Sequence, residues 1–354
     1  MLLALYFFLL PCRQQAFQEA PPQPILSFSV NDNQAKACHA HWMGFVSGRQ
    51  LAVRYMIPGS EDATLALIET DKTKTISSVA IPDGGGAGAG TPACSLSPKG
   101  DWISYVEGSN VKFMAIPPHQ TRLPHKGEIE VREQDRTRWA DIWINEKADF
   151  AYMARKLDDG IALYKWNIAS NTSVRFRGID APVSPDCVVL DPTSSRFAVS
   201  YRKVGNKPKI DCWTLGVTPT KTSIDVAVPA SSLAVSPDGR LLVAGLGNGN
   251  LAWYATGTGK VIHQDRALGP LSIGSLAFHH TGKYLACGTF DRNGQANLFL
   301  LDVTTGDLIA KIPADPNGIN AVCFSPNGDK LAAFGTTGTV TIWDATKLLK
   351  LERD

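Results

Sequence analysis

Net charge is scarce in this chain. Thirty-five Lys and Arg against 33 Asp and Glu leave +2, so no global field gathers nucleic acid or an anionic membrane surface. No nucleic-acid partner is expected. Paired cysteine motifs are also missing: the seven cysteines include no C-x-x-C, which removes a zinc ribbon and a thioredoxin-type redox pair. Cys94, Cys187 and Cys323 open or sit within apolar runs just before Pro-containing turns and read as small buried hydrophobes.

A membrane-length apolar run is missing too. MLLALYFFLL, residues 1–10, is too short to span a bilayer and about as long as a signal-peptide h-region. No Lys or Arg precedes it, and Gln18 stands where cleavage after Ala20 wants a small residue. Leu9-Leu10-Pro11-Cys12 outlines a lipoprotein box with proline in place of its small residue. Residues 1–24 are therefore read as a signal-peptide-like leader. Export to the periplasm or the cell exterior is the expectation, and a cytoplasmic protein or a misplaced start is the alternative.

What the chain does contain is 44% hydrophobic residues over 354 positions, enough to bury a core and to exclude disorder as the class. Its 31 Gly and 22 Pro are spread rather than pooled, as in a protein of many short strands joined by many turns. An all-β fold follows.

The turns repeat. FSPNGDKLAAFG at 324–335 has counterparts in HHTGKYLACG (279–288), VSPDGRLLVAG (235–245), DPTSSRFAVSY (191–201), NEKADFAYMA (145–154), LSPKGDWISYV (96–106) and VSGRQLAVRY (46–55). The anchors are Gly48, Gly100, Lys147, Ser194, Gly239, Gly282 and Gly328. In Ser-Pro-Asp-Gly, proline presets φ for the first corner and glycine takes the positive φ that other residues avoid. Each anchor is followed by two apolar runs, the second often ending in an aromatic (Trp166, Trp213, Trp253, Trp343), then a polar turn and a fourth run. Seven units of four strands, 43 to 52 residues apart, make the arithmetic of a seven-bladed β-propeller. The run Ile25 to Val30 is expected to close the ring as the outermost strand of the last blade.

Residues 25–346 resemble the WD40-repeat family, with Trp343-Asp344 as the namesake dipeptide and Val235-Ser236-Pro237-Asp238-Gly239, Phe324-Ser325-Pro326-Asn327-Gly328 and Asp191-Pro192 as its strand-turn signature. The repeats are degenerate. One unit alone keeps Trp-Asp, and none has the Gly-His pair of the family, so apolar contact between blades must replace part of the family's Asp–His network. Residues 347–354 remain as a short tail.

The resemblance implies a non-catalytic scaffold, acting as a monomer, that binds a protein or peptide partner, with no cofactor and no metal. From anchor to the end of the third strand, units one, three, four and six are about five residues longer than the others. The surplus falls between the second and third strands, on the face opposite the Ser-Pro-Asp-Gly turns, and such insertions often mark a binding face. They read PGSED, ARKLDDG, YRKVGNKP and TFDRNGQ. Arg155, Asp158, Tyr201, Arg202, Lys203, Phe290 and Arg292 are the candidate partner-binding residues, being of the types that dominate interfaces. Plain solvated turns are the equal alternative.

Enzymatic motifs do not survive inspection. The glycine-rich stretch 83–90 lacks the Lys-Ser/Thr of a phosphate loop, Ser109-Asn110-Val111-Lys112 lies within a strand pattern, and the pair His39 and His41 lacks a third metal ligand. A propeller enzyme of the lactonase or hydrolase type, with its site at the central channel, is the second reading.

Overall fold

The computed structural model describes residues 22–350 apart from 31–38, 58, 61, 83–93, 98–101, 108–109, 117–127, 130–138, 145–148, 158–159, 169, 171, 182–185, 192, 194, 270, 291–295 and 316. Residues 1–21 of the leader, Asp158, Arg292 and the glycine-rich stretch lie outside the described residues. The described chain is all-β, with four-stranded antiparallel sheets that follow one another in sequence at 39–82, 94–129, 139–181, 187–225, 230–267, 272–313 and 319–344. These sheets are the blades of a propeller. Six are built of strands of four residues or more; the second is reduced, with an inner strand Cys94–Leu96 and an outer strand Glu128–Ile129 of only two residues.

The first strand of each sheet packs against the first strands of the sheets on either side, and His39–Ser47 meets Ile319–Phe324 to complete the circuit. The last sheet has three strands of its own and takes Leu26–Ser29 as its fourth. Leu26 pairs with Ile342 and Ser29 with Thr339, while Ile25 N–H donates to the Ile342 carbonyl at 2.9 Å and Val30 N–H to that of Gly338 at 3.0 Å. The tail is not loose from its first residue. Ala345–Leu348 forms one helical turn, started by Asp344 accepting from Lys347 N–H, and Leu348 is buried against the last two blades.

Central strands are covered on both sides, which is why they read as apolar runs rather than as strict alternation. In Arg196–Val204, Phe197, Val199 and Tyr201 pack with Tyr152, Ala154, Ile161 and Leu163 of the third blade. Ala198, between them, faces the fifth blade with Ile210, Leu242 and Ala244. Trp213, Trp253 and Trp343 are almost fully buried, so the aromatics that end the third strands are interior wedges.

Hydroxyl groups stitch neighbouring blades. Ser200 Oγ donates to the Ala230 carbonyl at 3.3 Å, Ser232 Oγ to that of Ile273 at 3.2 Å, and Ser275 Oγ accepts from Val322 N–H at 3.1 Å. Each bond crosses from one blade to the next, so packing between blades is oriented as well as apolar.

The first-to-second turns take the conformation their sequence demands. Gly239, Gly282 and Gly328 have φ of +71°, +72° and +75°, and each donates its N–H to the carbonyl three residues earlier at 2.8 Å. Ser236 Oγ and Ser325 Oγ accept from the N–H five residues on, both at 2.9 Å.

Candidate functional site

In the third and fourth blades the surplus residues between second and third strands lengthen the strands. In the third blade Phe150–Leu157 pairs with Gly160–Asn167 down to Leu157 opposite Gly160. In the fourth, Arg196–Val204 and Lys207–Thr214 leave only Gly205 and Asn206 at the tip, Gly205 with φ +66°. The corresponding strands of the fifth and seventh blades have six residues each. The hairpins of the third and fourth blades are therefore longer by two or three residues per strand, toward one face of the ring.

This corrects the placement of two candidates. Tyr201 is in the ladder opposite Lys209 and is fully buried, because strand alternation turns it to the same side as Phe197 and Val199, against the third blade. Burial first, and the Asp211 charge second, push its phenol well above the usual tyrosine range. Arg155 is opposite Ala162, two pairs from the tip of its ladder, and 5% exposed. Neither side chain stands on the rim: Arg202 and Lys203 are exposed, and Tyr201 and Arg155 belong to the interior.

Arg202 and Lys203 owe their exposure to a bulge. The ladder runs from Tyr201–Lys209 to Val204–Lys207 with a register shift between them, so Arg202 and Lys203 together face Pro208 alone. Proline has no N–H to give the ladder, and a bulge turns side chains out of regular alternation. Arg202 Nε lies 3.3 Å from Asp186 Oδ1, and Lys209 Nζ 3.5 Å from Asp225 Oδ1. Phe290, 37% exposed, closes the second strand of the sixth blade and bridges to Gly318 of the next; a Cβ on Gly318 would come within 2.4 Å of its ring.

Two carboxylates escape sequence reasoning. Asp315, 7% exposed, accepts at Oδ1 from Asn317 N–H (3.0 Å) and Thr336 Oγ1 (3.2 Å), and at Oδ2 from Thr337 N–H (3.1 Å) and Thr337 Oγ1. It ties the connection entering the seventh blade to that blade's second-to-third turn. Asp-Pro-Asn-Gly at 315–318 carries the signal, an Asp poised to cap its own turn. Asp141, on the inner strand Trp139–Ile144, accepts from Ile142 N–H at 2.8 Å, and burial pushes its carboxyl up to about 7. Nothing in its local sequence announces that environment.

Among the described residues no group of three or more His, Cys, Asp or Glu could hold a metal ion. His39 and His41 fall in the strand His39–Ser47, and their side chains lie outside the described residues. Burial holds the thiols of Cys94, Cys187, Cys212 and Cys323 at about 12, and that of Cys287 higher still, so these cysteines are protonated and poor nucleophiles. No helix among the described residues is long and apolar enough to cross a membrane.

Comparison with known proteins agrees with this geometry. Residues 306–344 match the WD40 family, described as WD domain, G-beta repeat. Pre-mRNA-processing factor 19 of Schizosaccharomyces pombe is 35% identical over 104 residues, 29% of this chain and 20% of that protein. Serine-threonine kinase receptor-associated protein of Gallus gallus is 27% identical over 134 residues, 38% of this chain and 36% of that one. The chain thus matches well under half the length of these relatives. Among solved structures, the β-propeller domain of Myceliophteria thermophila Cps50 (Swd1) superposes with a TM-score of 0.64 over 92% of this chain and 99% of that domain, at 16% identity. Residues 306–344 thus match one WD40 repeat, and four-stranded antiparallel blades packed in a circuit give the chain a β-propeller fold.

Proposed function

We infer that the chain is a non-catalytic, seven-bladed WD40-like scaffold that binds a protein or peptide partner on the face carrying the long second-to-third strand hairpins. The observation that carries this reading is the fourth-blade hairpin, whose strands of nine and eight residues exceed the six of the fifth blade. Extra ordered length on one face of a rigid ring presents side chains at low ordering cost. WD40 relatives and the absence of a metal-ligand cluster among the described residues support a scaffold over a hydrolase.

The test is affinity capture with the full chain, followed by lysine cross-linking and mass spectrometry. Cross-links from the partner should fall on Lys203 and Lys207, at the long hairpin, and not on Lys260 or Lys283, in turns of the opposite face. Cross-links confined to Lys260 and Lys283 would place binding on the other face. Turnover in a lactonase or esterase screen would replace the scaffold by an enzyme.

A further inference from the structure

We propose that the tip of the fourth-blade hairpin is a docking site for an acidic peptide segment of a protein partner. This rests on the reading of that face as the binding face and adds the chemistry recognised there. Residues 202–209, RKVGNKPK, hold four cations and no carboxylate. The structure sorts them into two kinds. Arg202 and Lys209 are each held by a carboxylate from a neighbouring segment, Asp186 at 3.3 Å and Asp225 at 3.5 Å. Lys203 and Lys207 are exposed and make no ion pair among the described residues.

The base of this hairpin is fixed, and its tip is open. Tyr201 is locked between the third and fourth blades, and Val226 N–H reaches the Pro208 carbonyl at 3.3 Å. Beyond that point Pro208 breaks the ladder, so the bulge presents Arg202 and Lys203 as consecutive exposed residues, with Lys207 opposite Val204 on the returning strand. Three cations therefore sit at one tip on a scaffold that needs little ordering to receive a ligand.

Charge complementarity selects the occupant. A nucleic acid needs a basic footprint spread over several phosphates, whereas here the cations are confined to one hairpin, the net charge is +2, and the carboxylates of Asp186 and Asp225 flank the tip. A short run of Glu or Asp fits: its carboxylates meet Lys203 and Lys207 while the flanking aspartates hold their own partners. Such a contact is steered by charge and is weakened by salt.

The experiment uses the full chain and a fluorescein-labelled short polyglutamate peptide, with polylysine and an oligouridine RNA as parallel probes, read by fluorescence anisotropy. Polyglutamate should bind saturably at low salt and weaken as salt rises. The double variant Lys203→Glu with Lys207→Glu should lose about tenfold or more in affinity, and the double variant Lys260→Glu with Lys283→Glu should bind as the parent does. Unchanged circular dichroism and melting temperature keep the comparison valid, since all four lysines are exposed. Absence of polyglutamate binding, equal loss in both double variants, or tighter binding of oligouridine abolished by the hairpin variant would each overturn the proposal. If polyglutamate fails while partner cross-links still fall on Lys203 and Lys207, the acidic chemistry is wrong and the binding face stands.

Discussion

His279 Nε2 lies 3.3 Å from the carbonyl oxygen of Gly328, joining the first-to-second turn of the sixth blade to that of the seventh. The neutral ring donates through Nε2 and accepts at Nδ1 from Thr281 Oγ1 at 2.8 Å and Thr281 N–H at 3.3 Å. Its edge-on neighbours are Tyr284 and Phe324. The same meeting of turns recurs around the ring: a Cβ on Gly239 would fall 2.9 Å from Ser195 Oγ, one on Gly282 would touch Pro237, and Lys330 Nζ donates to the Gly48 carbonyl. The described anchors Gly48, Gly239, Gly282 and Gly328 are thus contact points between blades.

Replacing His279 by Ala should cost about 2 kcal/mol or more, because it opens a cavity and leaves the Gly328 carbonyl without its donor. Gly328→Ala should cost as much, since φ is +75° and the new Cβ would fall 2.0 Å from His279 Nε2. Chemical denaturation of the two variants checks this. Burial, then the charge of His280, lowers the His279 pKa below 6.5, against the raising effect of the Gly328 carbonyl. The unfolded chain therefore takes up the proton first, and the stability this ring contributes is complete above pH 6.5 and is lost as pH falls below it. The gap between parent and His279→Ala should narrow on acidification; a gap that widens would refute this.

Closure of the ring gives the second prediction. Removing residues 1–31 exposes the edge of Thr339–Asp344 and strips Leu26 and Phe28 from the core they share with Phe334 and Ile342. The melting temperature should drop by several degrees or more, while removal of 351–354 should leave it unchanged. Lys330→Ala, which frees the Gly48 carbonyl and the weaker contact to Asp71 at 3.9 Å, should cost about 1 kcal/mol.

Tyr201→Phe should be neutral or stabilising by up to about 1 kcal/mol. Its buried hydroxyl has no hydrogen-bond partner among the described residues, so its loss removes a desolvation cost without removing a bond. Tyr201→Ala should instead cost about 3 kcal/mol or more, through the cavity between the third and fourth blades. Urea melts of the pair separate these outcomes, and a strong loss in the Phe variant would show that the hydroxyl is bonded.

Asp141→Asn should flatten the pH dependence of stability near neutrality. The folded carboxyl titrates at about 7 against 3.8 for the ordinary group. Its contribution is fully present below pH 3.8 and is lost as pH rises to about 7, by at most about 1.4 kcal/mol per pH unit. The Asn variant should gain on the parent over that window, and parallel curves would sink the assignment.

Much of the molecule was legible in one dimension because its signals are local. Ser236-Pro237-Asp238-Gly239 and Phe324-Ser325-Pro326-Asn327-Gly328 fix φ and turn hydrogen bonds within four residues, so their recurrence fixed the strand count per unit. The closing role of Leu26–Ser29 followed from an apolar run with no partner nearby. The candidate site was legible only as a length difference: five surplus residues announce a longer hairpin and do not say whether they become loop or strand.

The sequence by itself determined the repeat and the turns, since each depends on residues within one unit. Tertiary structure decided the fates of Tyr201 and Arg155, whose exposure depends on the blade beside them. It also decided that Pro208, by withholding an N–H, would set Arg202 and Lys203 outward on a bulge. Burial of a side chain in a propeller is a property of two blades, and the pairing of their surfaces across some forty residues is written in no single stretch.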